Sequence, residues 1–206
     1  MPIDMIIEGG KVVTGGEVRK TDVAIDDGKI IAVGSKKTFP EADKVIDAKG
    51  KIVIPGGIDT HSHFQMPFMG ETPPETWEEA TIATAIGGTT TTIDFAVEGI
   101  HPGKDTLEAV KKQLEKAGKE SVVDFSTHGV FTDFSDMDKV IKQFKEIVDM
   151  GVPGFKEFMI YKAQNMYIND WNLLKVLQNA QKHGAMVGLH AENAEIGESW
   201  QKELVD

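Results

Sequence analysis

The chain has 206 residues, 40% of them hydrophobic, a formal charge of −11 and no cysteine. That length and apolar fraction suit one sizeable core with room for a small accessory layer, and they exclude a disordered polypeptide. The acidic balance lacks the clustered Lys and Arg that phosphate binding needs, which argues against nucleic-acid or anionic-membrane partners; without cysteine, any metal must be held by His, carboxylate or modified Lys.

Met1-Pro2-Ile3-Asp4 lacks the basic start and apolar core of an export signal, and no apolar run approaches the ~20 residues needed to cross a bilayer. A cytoplasmic location is expected. Residues 3–53 are short apolar runs broken by turn residues: Met5-Ile6-Ile7 before Gly9-Gly10, Lys11-Val12-Val13 before Gly15-Gly16, then Val23-Ala24-Ile25 and Lys29 to Val33. This punctuation predicts a small antiparallel β layer, with Asp27-Gly28 as a tight hairpin turn.

From Lys51 the rhythm becomes strand, helix, strand, helix, which implies parallel pairing. Five strands are predicted, Lys51 to Asp59, Thr89 to Ala96, Val122 to Val130, Gly154 to Tyr161 and Ala185 to His190, all rich in apolar or β-branched residues. A helix over Asp105 to Gly118 keeps Leu107, Val110, Leu114 and Ala117 on one face. The next is expected to start at Ser135 with Asp138 as its capping-box partner, and carries Met137, Val140, Ile141, Phe144, Ile147 and Val148. Asp170 is the expected cap of the one after, with Leu173, Leu174, Leu177 and Ala180 facing the sheet. Five βα units are too few for a barrel of eight, and the chain reaches Asp206 inside a fifth helical stretch. Either the sheet is open and doubly wound, or the residues are a portion of a longer protein.

The chemistry-bearing residues sit at the predicted strand ends. In Asp59-Thr60-His61-Ser62-His63 two imidazoles are two residues apart, a spacing that points both to one side of a strand, although surface or packing roles stay open. His190 ends the apolar Val187-Gly188-Leu189, again at a carboxyl end, where a hydrogen-bonded structural His is the plainer reading. Lys156 lies among Phe and Met; burial favours its neutral amine, which can take up carbon dioxide as a carbamate, unless the side chain simply reaches out to water.

His61-x-His63, Lys156 on the fourth strand and His190 on the fifth, behind an N-terminal β layer, resemble the amidohydrolase superfamily. More narrowly, His61-Ser62-His63-Phe64-Gln65-Met66-Pro67-Phe68, Gly87-Gly88-Thr89-Thr90, Phe155-Lys156-x-Phe158-Met159-x-Tyr161 and His190-Ala191-Glu192-Asn193 look like its dihydropyrimidinase and hydantoinase branch. The resemblance implies an α/β fold, a (β/α)8 TIM barrel of the metal-dependent hydrolase type. Residues 1–53 would belong to a small N-terminal β-sandwich and 54–206 would be the first five βα units of the barrel.

By the same resemblance, His61 and His63 would hold one zinc ion, carboxylated Lys156 would bridge two, and His190 would hold the second. Tyr161 would donate a hydrogen bond to the developing oxyanion, the alternative being a phenol that merely packs on the strand. The implied reaction is ring opening of a dihydropyrimidine or 5-substituted hydantoin to an N-carbamoyl amino acid by a metal-bridging hydroxide. The implied assembly is a homo-oligomer, a tetramer in the family.

Phe64, Met66, Phe68 and Met69 form an apolar loop that either shapes a substrate pocket or belongs to the core. Asp94 is a candidate for orienting a ligand His or for a turn, and His128 for standing behind the ligands; His101 and His183 read as loop and helix-end residues. The family's further His and Asp ligands come from a sixth and an eighth strand that this sequence does not contain, so the segment alone is expected to be inactive. Dihydroorotase-like relatives carry an Arg where Gln65 stands, allantoinases differ around Met66-Pro67-Phe68, and non-enzymatic scaffold relatives have lost metal ligands that are present here.

Overall fold

The computed structural model describes residues 2–67, 71–99 and 105–205. The chain divides into two compact units, Met1–Gly56 and Gly57–Asp206, each considered by itself. Among the described residues no helix is long and apolar enough to cross a membrane.

The first unit is one five-stranded sheet of β1 (Ile3–Thr14), β2 (Glu17–Asp26), β3 (Lys29–Gly34), β4 (Ala42–Asp47) and β5 (Ile52–Val53), ordered β3-β2-β1-β4 with β5 also on β1. Asp27 and Gly28 both have positive φ, 48° and 67°, the conformation of the tightest hairpin loops, and they join β2 to β3 as expected. The sheet is mixed, not purely antiparallel. β4 and β5 run parallel to β1 because the chain crosses back over the Lys36–Thr38 turn before Glu41 receives the Ile3 N–H. Ile3, Ile6 and Ala24 form its core.

The predicted strand from Lys51 to Asp59 is two pieces. Ile52-Val53 pairs with Lys11-Val12 of β1, whereas β6 (Gly57–Asp59) opens the second unit's sheet. Pro55, which has no N–H to give a ladder, stands between them.

The second unit runs β6, α1 (Trp77–Ile86), β7 (Thr89–Val97), α2 (Thr106–Glu120), β8 (Asp124–Val130), α3 (Met137–Asp149), β9 (Gly154–Phe158), α4 (Asp170–His183), β10 (Met186–His190) and α5 (Ala194–Val205). Its sheet order is β10-β9-β8-β7-β6, every pair parallel. A doubly wound sheet reverses its strand order partway, and this one does not. The result is a TIM-barrel-like α/β fold presenting a parallel half-barrel.

Helix starts follow cap chemistry. Thr76 and Glu79 form a reciprocal capping box on α1, and Asp105 accepts from Glu108 N on α2. Asp136 caps α3, accepting from Lys139 N, in place of Ser135; the Asp136 backbone is extended, as a cap requires, and Asp138 already lies in the first turn. Asn169, not Asp170, caps α4 for the same reason. The buried face of α4 is Leu173, Val176 and Ala180, spaced three and seven apart; Leu174 and Leu177 sit beside that stripe, 45% and 39% exposed.

Helices and sheet enclose Phe131, Phe144 and Phe155, with Phe144 and Phe155 stacked at 3.8 Å. In β9, Phe155 and Glu157 are buried while Lys156 and Phe158, on the other face, are half-buried. At the start of β9, a Cβ on Gly154 would lie 2.1 Å from His128 Nδ1. Gly154→Ala is therefore expected to lower stability by about 1–3 kcal/mol, through overpacking or loss of the His128 position. Urea unfolding of the full-length variant checks this, and an unchanged midpoint would refute it.

Candidate active site

β6 ends at Asp59, so His61 and His63 lie in the following loop, not on a strand, and strand alternation is not what aligns them. Side chains and neighbouring strands shape that loop instead. Asp59 Oδ1 accepts from His61 N at 2.9 Å, the Ile93 carbonyl from Ser62 N at 3.3 Å, and Asp94 Oδ2 from Phe64 N at 3.1 Å. The two imidazoles end 5.0 Å apart, centroid to centroid, and both pack on Phe95, at 4.7 and 4.9 Å.

Burial holds the His63 imidazole below its ordinary pKa, with His61 and Lys156 adding to the effect, so its neutral, metal-binding form persists to lower pH. Burial likewise lowers Lys156, whose amine sits 5.2 Å from the centre of the Phe158 ring. His190 ends β10 opposite Phe158, with its ring 5.6 Å from that of Tyr161; its Nε2 meets Glu192 Oε1 at 3.1 Å. Tyr161 lies beyond β9, in left-handed backbone at φ 66°, not within the strand predicted to run through it.

His61, His63, Lys156, His190, Tyr161 and Met66 all line one cavity of about 650 Å³, and Phe95, Phe158 and Met166 add apolar walls. Phe64 is not brought there: its ring packs edge-on against Trp77 at 5.2 Å. Phe68, Met69 and His101 lie outside the described residues. Gln65 also faces away, its side-chain oxygen accepting from Lys116. His183 is the last residue of α4.

Among the described residues the Asp94 carboxylate takes its hydrogen bonds from Phe64 N, Phe95 N and Gln113 Nε2, the last at 3.1 Å, and not from a histidine; it is a loop anchor, and burial pushes its carboxyl up to about 7. Sequence reasoning overlooked Phe95, the platform beneath both imidazoles. Its signal was the alternation of Thr91, Ile93, Phe95 and Val97 along β7, which puts it on the cavity face.

Among the described residues no three His, Asp or Glu side chains group tightly enough to hold a metal ion by themselves. The donor set fits a metal nonetheless if Lys156 is counted: a neutral imidazole at His63, its neighbour His61, and an amine whose lowered pKa prepares it for carbamate formation. His190 would join by turning from Glu192.

Residues 52–206 match the model of the amidohydrolase family. The chain is 38% identical over 203 residues to a D-hydantoinase of Rhizobium radiobacter, covering 98% of this chain and 43% of that protein. It is 36% identical over 198 residues to a dihydropyrimidinase of Rattus norvegicus, covering 93% and 37%. A D-hydantoinase structure superposes with a TM-score of 0.89 at 36% identity, over 98% of this chain and 43% of that one. The chain thus spans less than half the length of these relatives, and its own fold, cavity and sequence place it as a member of the amidohydrolase family.

Proposed function

We propose that the protein carrying this chain hydrolyses the ring amide of a cyclic substrate, a dihydropyrimidine or a 5-substituted hydantoin, to the N-carbamoyl amino acid. The observation that carries this reading is the convergence of His61, His63, Lys156, His190 and Tyr161 on one apolar-walled cavity. Water adds its oxygen to the carbonyl carbon, the ring C–N bond breaks, and the departing nitrogen takes a proton. Two zinc ions, when bound, supply an acidified water and polarise the carbonyl. The residues that would hold them are His61 and His63, carboxylated Lys156, and His190.

Tyr161 donates its phenol proton toward the oxygen that becomes negative as the carbonyl is attacked, where a fixed donor is worth most. Met66, Phe95, Phe158 and Met166 hold the ring substituent and keep bulk water out. In this reading residues 54–206 are the first five units of a complete barrel, the first unit's sheet is part of a β-sandwich, and the protein is a cytoplasmic homo-oligomer, a tetramer. The position of Gln65, bonded to Lys116, leaves no side chain there to grip a substrate carboxylate, which disfavours a dihydroorotase-like substrate.

The test is metal content and turnover of the full-length protein. About two zinc ions per chain together with hydantoin or dihydrouracil hydrolysis is expected; no metal and no turnover would leave a scaffold relative. Tyr161→Phe is expected to lower kcat by about 10²–10³-fold with KM and zinc content little changed. Equal loss in KM would assign Tyr161 to binding instead.

A further inference from the structure

We infer that His128 is a positioning residue for the His61 and His63 pair, acting through the Thr60 carbonyl; this rests on the metal-site reading just proposed. His128 stands on β8, two strands away from β6, and its Nε2 lies 3.1 Å from Thr60 O, a contact between residues 68 apart in sequence. A carbonyl oxygen can only accept, so Nε2 carries the hydrogen and Nδ1 is left with its lone pair.

That Nδ1 is buried and has no hydrogen-bond partner among the described residues. A buried acceptor left unsatisfied costs about 1–3 kcal/mol, so the ring is not placed to satisfy Nδ1. It is placed by the Thr60 contact. Gly154 makes the slot: the space a side chain would take there is filled by the imidazole, 2.1 Å from where a Cβ would be. The ring also packs on Phe95 at 5.2 Å, the same ring that carries His61 and His63. Burial lowers the pKa of the imidazole against the opposing pull of the Thr60 contact, which favours the neutral ring.

The loop that bears the paired imidazoles begins immediately after Asp59, where strand pairing ends. Its N–H groups at His61, Ser62 and Phe64 are held by Asp59, Ile93 and Asp94. His128 holds the peptide carbonyl directly before His61, the group whose rotation would swing the His61 side chain. Removing the donor leaves that peptide free to turn, and two ligands that share one ion lose their mutual geometry.

The experiment compares His128→Gln, His128→Asn and His128→Phe in the full-length protein, with zinc affinity measured by competition against a chromophoric chelator and folding followed by thermal denaturation. A Gln amide nitrogen reaches about where Nε2 stands; an Asn amide stops short, and Phe has no donor. Zinc binding is expected to weaken about 10–100-fold in His128→Asn and His128→Phe and to stay within a few-fold of the parent in His128→Gln. The visible spectrum of the cobalt-substituted protein should change in the same two variants.

A merely structural role predicts the opposite pattern, with lower melting temperatures but unaltered zinc affinity in whatever folds, and that result would overturn the inference. Should His128→Phe not fold, the Gln and Asn variants, both polar, decide it. An unsubstituted protein that takes up no zinc would instead sink the metal-site reading, and this inference with it, before any variant is compared.

Discussion

If the proposed reading holds, Lys156→Met in the full-length protein is expected to lower hydantoin hydrolysis by about three orders of magnitude, because a ligand the two ions would share is lost and with it several kcal/mol of transition-state charge stabilisation. Zinc content should fall with it. Methionine keeps roughly the length of Lys156 and an apolar stem, and replaces only the amine that lies over the Phe158 ring, so the fold should be kept. The half-buried amine has no acidic partner pinning it as a cation among the described residues, and burial lowers its pKa. A lowered pKa enlarges the neutral fraction, whose nitrogen lone pair attacks the carbon of carbon dioxide and gives the carbamate with release of a proton. Growth or incubation with carbon-13 bicarbonate should accordingly give a carbamate resonance in the parent that Lys156→Met lacks. Full activity in the variant would remove the cavity's central ligand from the mechanism.

The second large effect concerns stability. Glu157 is fully buried on the helix-facing side of β9, and neither carboxylate oxygen has a hydrogen-bond partner among the described residues. Burial drives its carboxyl well above the ordinary value; Glu98 nearby adds to this, while the Phe131 N–H opposes it without reaching hydrogen-bond geometry. The folded state therefore binds a proton that the unfolded chain releases above its ordinary carboxyl pKa. Stability on this account is full below that value and falls by about 1.4 kcal/mol per pH unit as pH rises toward the folded-state pKa.

Glu157→Met removes the slope. The variant should gain on the parent progressively as pH rises above the ordinary carboxyl range, until the buried carboxyl itself ionises. Asp94, also raised by burial, contributes its own pH dependence equally to both proteins and cancels in the comparison. Urea midpoints across a pH series check this, and parallel curves would show that Glu157 is satisfied in the folded protein.

Much of the parallel half-barrel was legible because its strands are written as short runs rich in apolar or β-branched residues, and Thr89 to Val97 or Met186 to His190 can be read almost residue by residue. The paired imidazoles and Lys156 were legible as residue types out of place in such runs. What the sequence hid depends on contacts between distant segments. Pro55 marks the break locally, but nothing local says that Ile52-Val53 joins β1 while Gly57–Asp59 starts the other sheet. The mixed direction of the first sheet follows from where Glu41 meets Ile3, 38 positions earlier in the chain and beyond the reach of any local signal. Cap choice between Ser135 and Asp136 turned on one residue's extended backbone. Phe64 and Met66 look alike in sequence, yet one packs on Trp77 and the other lines the cavity, because Phe64 N is tethered to Asp94 on the sheet's helix-facing side.

Tyr161 holds φ at 66°, in a region where a side chain with a Cβ is disfavoured and glycine or asparagine would rest easily. Selection for heat tolerance alone would push this position toward Asn or Gly. Such a swap should toughen the protein slightly while discarding the phenol beside His190, so under the proposed reading position 161 is where robustness and turnover pull in opposite directions.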